Sequence, residues 1–195
     1  KLRKAAARLD GLRTPEGEPL PPRARAEMER DLERLELIRR QVAAIEETRE
    51  AMLAHEPEGA NAMVLMLARV RGVGVETADM LVREVIARGL RDRRAVARLA
   101  GLTGTPDESG AKRRQKGIGK AGVARVRRGV IQLAWRLLQF QRESALVRWY
   151  EARTAGARGA ARKTFLVALA RKVLLALTRY ATLGELPEGF VLNPA

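Results

Sequence analysis

The 195-residue chain has no cysteine and a single histidine, His55. Disulfide frameworks, thiolate chemistry, Cys/His zinc sites and Ser/His/Asp triads are therefore closed to it or nearly so. Aromatic residues are scarce as well, at 4%. Ala, Leu, Val, Arg and Glu recur throughout instead, a composition that favours helices over sheets and predicts an all-α fold. No apolar run is long enough for a bilayer: the longest, Phe165 to Leu177, is interrupted by Arg171 and Lys172, where a span needs roughly 20 apolar residues. No secretory signal is expected from the first residues of the sequence.

Apolar residues nevertheless make up 46% of the chain, enough for a sizeable core. The formal charge is +15, from 38 Lys and Arg against 23 Asp and Glu. An excess of that size points to a polyanionic partner or an acidic membrane face. It is unevenly placed. Lys1 to Pro57 holds 12 basic and 12 acidic residues, and Glu58 to Ala195 holds 26 basic against 11 acidic, the whole of the excess. The densest part runs from Ser109 to Arg142, with ten Lys or Arg and no acid.

Lys1 to Pro22 carries Pro15, Pro19, Pro21 and Pro22 and few large apolar residues, and reads as a linker following an upstream domain. Over residues 23–57, Met28, Leu32, Leu35, Ile38, Val42, Ile45 and Met52 recur mostly at threes and fours between mixed charges, the pattern of one long helix. Its stripe is close to a heptad seam, with a slip near Arg39. Two readings stand: a coiled coil or antiparallel arm, and a helix lying on the domain. Pro57 and Gly59 close the helix in both.

Residues 58–195 read as a compact helical domain. Helices are expected at Asn61 to Val70, Val75 to Ala87, Asp92 to Ala100, Ala121 to about Gln141, Ser144 to Glu151 and Ala160 to about Thr182. Gly101 to Gly119 is expected to be a long loop, and the residues after Gly184 a loose C-terminus. The turn Arg71-Gly72-Val73-Gly74 between the first two helices, with Ala78 beyond it, fits a helix-hairpin-helix. Glycine there permits a positive φ, and the N–H groups opening the second helix would face a phosphate. Contact of that kind reads the backbone, not the bases; an ordinary αα-hairpin fits the same residues.

Ser109-Gly110 opens the basic stretch, followed by Lys112, Arg113, Arg114, Lys116, Lys120, Arg125, Arg127 and Arg128. A serine beside a glycine is sterically open, and cations after it suit the charge that develops at a phosphodiester under attack. A turn cap or a phosphate donor is the plainer role for such a serine. The basic cluster itself reads as nucleic-acid contact. Trp135, Phe140, Trp149 and Tyr150 have helical spacing and apolar neighbours, which favours the core over base stacking. His55 reads as a surface residue, and the acidic residues form no metal-ligand pattern.

Taken together, Val70-Arg-Gly-Val-Gly74…Thr77-Ala78, Ala100-Gly-Leu102, Glu108-Ser-Gly110, Gly117-Ile-Gly-Lys-Ala-Gly122, Arg125-Val-Arg127, Leu133-Ala-Trp135, Ser144-Ala-Leu…Arg148-Trp149, Val167-Ala-Leu-Ala-Arg-Lys172 and Pro187-Glu-Gly189 resemble the C-terminal half of transposases of the insertion-sequence one-ten family. These are the DEDD transposases guided by a bridge RNA. The resemblance runs from about Ala60 to the end, and the long helix resembles the coiled coil joining the family's two halves. It implies a bacterial, nucleoid-associated cytoplasmic protein that binds DNA and guide RNA and forms a homo-oligomer through residues 23–57, with no membrane partner. It also implies that Ser109 becomes covalently linked to a DNA phosphate. Mg²⁺ would be held by an acidic quartet in a RuvC-like N-terminal domain that residues 1–22 would follow, leaving no cofactor in this chain. Lys112, Arg113 and Lys120 are the foremost candidates for phosphate contact.

One departure stands out within the matched residues. Where the family has Gly-Asn, this chain has Gly122-Val123, which removes an amide able to hydrogen-bond a nucleic acid. Without the metal-binding half the chain is expected to be inactive alone. A non-catalytic DNA- or RNA-binding and dimerisation fragment is the alternative function.

Overall fold

The computed structural model describes residues 7–109, 112–119 and 121–194, with backbone alone at 105–109 and 112–117. The chain divides into two compact units, Lys1–His55 and Glu56–Ala195.

The first unit is dominated by helix α1, Pro22–His55. Pro22 occupies its first turn, where a missing N–H costs nothing. Exposed ion pairs such as Arg25–Glu29 at 3.0 Å and Arg34–Asp31 at 3.0 Å line its surface, where solvent screening leaves each of them weak. Leu9 and Leu12, from the segment before it, join Met28, Leu32 and Leu35 around a hollow of about 450 Å³. Further along, the seam lies open, and Ile45 is 58% exposed. His55 is exposed at the end of the helix.

The second unit contains α2 (Gly59–Ala68), α3 (Val75–Glu84), a 3₁₀ turn (Ile86–Arg88), α4 (Arg93–Leu99), β1 (Gly104–Ser109), β2 (Lys112–Ile118), α5 (Ala124–Phe140), α6 (Ala145–Thr154) and α7 (Ala160–Leu183). The fold class is helical, as the composition implies. Helix α7 packs against α2, α4, α5 and α6. It buries Leu166, Leu169, Ala170, Val173, Leu174 and Leu177, a run at threes and fours that forms one continuous stripe. Val126, Val130, Leu133, Ala134 and Leu137 of α5 are buried too. Each large aliphatic side chain in this core contributes about 1.5–3 kcal/mol.

The caps explain the helix ends. Ala95 N–H donates to Asp92 Oδ1 at 2.7 Å, which also holds the Asp92 carboxyl below its ordinary pKa. Val147 N–H donates to Ser144 Oγ at 3.3 Å, and Gly184, at φ 72°, ends α7 in the left-handed conformation.

Two expectations fail. The segment from Gly101 to Gly119 is not a simple loop, because β1 and β2 pair antiparallel across it, with a register irregularity between Gly104 and Thr105. The C-terminus is not loose. Arg71 N–H donates to Val191 C=O at 3.0 Å, Asn193 N–H to Arg69 C=O at 2.6 Å, and Ala145 N–H to Glu188 C=O at 3.1 Å. Gln141, 1% exposed, joins these elements: its Nε2 donates to both Arg71 O and Val191 O at 2.8 Å, and its Oε1 accepts from Val191 N–H at 2.8 Å. A buried amide satisfied at both ends fixes the tail beside the turn that follows α2. Gly189 permits this docking, since a Cβ there would sit 2.6 Å from Glu143 O.

Candidate nucleic-acid interface

The connection from α2 to α3 is a tight turn. Gly72 has φ 91°, and a Cβ on it would lie 3.3 Å from Phe140, so both conformation and packing require glycine there. Gly74 differs from the sequence expectation: its φ is −79° and it is the extended N-cap of α3. No side chain caps α3, which leaves the N–H groups of its first turn open to an anion. Glu76 is an acid within that turn. Arg136 stands over the same end, with its Nη2 donating to Thr77 Oγ1 at 3.1 Å.

Beyond this point α3 and α5 bound a groove of about 250 Å³, lined among others by Thr77, Met80, Arg125, Arg128, Gln132 and Arg136. Its floor depends on Gly129, where a Cβ would lie 2.7 Å from Met80 Cε. Arg128 is exposed. Arg125 pairs with Glu84 at 3.1 Å while staying largely solvated, so that pair is an inexpensive one to exchange for a phosphate. Sequence reasoning included Arg136 only within the basic stretch and passed over Gln132. Their spacing from Arg125 and Arg128 along one helix face was the available signal.

The hairpin is tied to the domain at its base. Gly101 and Gly122 have φ of 62° and 103°, and a Cβ on either would meet backbone oxygen at 2.3–2.4 Å. Gly119 N–H donates to Thr103 C=O at 2.9 Å and Val123 N–H to Leu99 C=O at 2.7 Å. Arg127 is not in the groove; its Nη1 would lie 2.5 Å from a Cβ on Gly101, at the foot of the hairpin.

Register pairs Ser109 with Lys112, Glu108 with Arg113, Asp107 with Arg114 and Thr105 with Lys116. By the alternation of a pleated ribbon, Asp107, Ser109, Lys112 and Arg114 occupy same-face positions, while Glu108 and Arg113 fall on the other face. The side chains of Ser109, Lys112, Arg113, Arg114 and Lys116 lie outside the described residues, as does Lys120 altogether.

The expectation of core aromatics is met for Tyr150, which is buried, but Phe140 is 42% and Trp135 53% exposed. Trp149 is half-buried, with Lys172 Nζ 4.6 Å from its ring centroid. Val123, at the departure from the family pattern, is the N-cap of α5 and offers no side-chain cap. Among the described residues no group of three or more His, Cys, Asp or Glu could hold a metal ion, and no helix is long and apolar enough to cross a membrane.

Residues 65–149 match the model of the Transposase IS116/IS110/IS902 family. The chain belongs to this transposase family. A relative from Sinorhizobium fredii (strain NBRC 101917 / NGR234), named "Putative transposase y4rJ", is 40% identical over 199 residues, covering 98% of this chain. The chain spans half the length of that relative. The family match includes α3, the hairpin and α5, so the groove and the serine both lie within it.

Proposed function

We propose that this chain is the DNA-handling half of a transposase and that the β1–β2 hairpin presents Ser109 as the nucleophile for strand cleavage. The observation that carries the reading is the hairpin's position: a glycine-anchored ribbon ends at Ser109 opposite Lys112, inside the family match. The Ser109 oxygen would bond to phosphorus, its proton passing to a base, as the bond from phosphorus to the leaving sugar oxygen breaks and that oxygen takes up a proton. The phosphoserine keeps the energy of the phosphodiester and is released when another strand's sugar hydroxyl attacks it, which completes exchange. Lys112, Arg113, Arg114, Lys116 and Lys120 would stabilise the charge at phosphorus.

The turn at Gly72 and Gly74, acting as a helix-hairpin-helix, would hold a backbone phosphate, with Arg125 and Arg128 continuing along the groove and Arg127 bracing the hairpin. The exposed seam of α1 supports self-association through residues 23–57. A guide RNA is the second polyanion to which the positive charge of the second unit is suited. A non-catalytic binding and dimerisation role is the second reading, supported by the positive excess of the second unit and the exposed seam of α1.

The test is a denaturant-resistant protein–DNA adduct, formed by the complete transposase with guide RNA, Mg²⁺ and target duplex. Unmodified protein is expected to yield the adduct and Ser109→Ala to yield none. Adduct from the alanine variant removes Ser109 as nucleophile.

A further inference from the structure

The chain has two tryptophans, and they are treated differently. Trp149 is occupied from within: Lys172 and Arg153 lie 4.6 Å and 6.0 Å from its ring centroid, and the edge of Phe165 meets it at 6.5 Å. Trp135 has none of these ring or cation contacts among the described residues and is 53% exposed. A bulky π surface left in water, on a domain that buries most of its large apolar residues, is unused binding capacity.

Its neighbours on α5 say what it suits. The helix contains Arg125, Arg127, Arg128 and Arg136 and no acid. At about 100° per residue, Arg128, Gln132, Trp135 and Gln139 follow one another down one face, with Arg125 and Arg136 at its edge. Arg128, Gln132 and Gln139 are exposed. Arg128 lies two turns before the ring on this face and Arg136 beside it at the edge, while the amides of Gln132 and Gln139, which can donate and accept, stand about one turn before and one turn after it. A protein partner's apolar patch would leave these arginines to be desolvated without anions. A duplex hides the faces of its bases within the stack, whereas an unpaired strand presents a base face between two phosphates.

We infer that the exposed face of α5 binds an unpaired nucleic-acid strand, with Trp135 stacking on a base and Arg128 and Arg136 holding the phosphates on either side of it. This rests on the reading of the second unit as nucleic-acid-binding. It goes further in assigning the strand form and the residue that selects it. Gln132 and Gln139 lie where they can reach the edge of the stacked base.

The experiment measures affinity of the 195-residue chain for labelled single-stranded DNA, single-stranded RNA and duplex DNA, together with tryptophan fluorescence. Trp135→Ala is expected to weaken binding of at least one single strand by about tenfold and to leave the duplex within about twofold, with Trp135→Phe keeping most of the affinity. Strand-induced quenching should persist in Trp149→Phe and vanish in Trp135→Phe. The comparison of DNA with RNA identifies the source of the strand. Equal losses on strand and duplex, or quenching that survives in Trp135→Phe, overturn the inference while leaving the binding role in place. Failure to bind any of the three overturns both. Loss of self-association in Trp135→Ala with unchanged strand affinity assigns the face to a second copy and also overturns it.

Discussion

The two units use apolar residues in opposite ways. In α1 the seam residues from Leu35 to Met52 are spaced for burial yet stay exposed, on a segment whose charges balance. In the second unit, α5 and α7 bury their stripes completely, and the surface carries all of the excess positive charge. An apolar stripe therefore has no single meaning. It builds a core where other elements of the chain cover it, and it stays an exposed face where they do not. Charge follows the same division, balanced over the first unit and of one sign in excess over the second.

The sharpest test of this contrast trims one residue from each stripe. Leu133→Ala, in the core, is expected to lower unfolding stability by about 3 kcal/mol, read from denaturant midpoints. Ile45→Ala should cost the monomer less than about 0.5 kcal/mol and instead weaken self-association, measured by light scattering across concentrations. Equal losses of stability would show that the α1 seam is buried in the folded chain, and the contrast would fail.

Next in size is Gln141→Leu, which keeps approximate volume but removes the amide. It removes the side-chain partner of Arg71 C=O and of Val191 N–H, while Val191 C=O keeps its bond from Arg71 N–H, at about 2 kcal/mol. Amide exchange at Val191 should accelerate more than at the centre of α7. Unchanged exchange would mean that the tail is held by its backbone hydrogen bonds to Arg69, Arg71 and Ala145 and that Gln141 adds little. The third test expects a gain: Val123→Asn places a capping side chain at the start of α5 and should stabilise the second unit by about 1 kcal/mol. No gain would point to a role for that position outside folding.

The legible parts share a cause. Helix α7 was placed at Ala160 to about Thr182 and spans Ala160–Leu183, because its periodicity is strong and a glycine follows it. Asp92 and Ser144 announced α4 and α6 as caps. The hairpin was not visible, since its strands are polar, contain Pro106 and lack alternating apolar residues. One signal was present: Asp107-Glu108 and Arg113-Arg114 mirror each other about Ser109 to Lys112, so opposite charges become register partners.

Sequence alone determined the helical class, the family and the concentration of positive charge, all of which are carried by residue type and short-range spacing. Tertiary structure decided that Gln141 would hold a tail 50 residues away, that Arg136 would stand over the start of α3, and that Trp135 would face water while Tyr150 did not. Those outcomes depend on which faces are covered by elements distant in the chain, and local periodicity carries no information about which distant partner arrives.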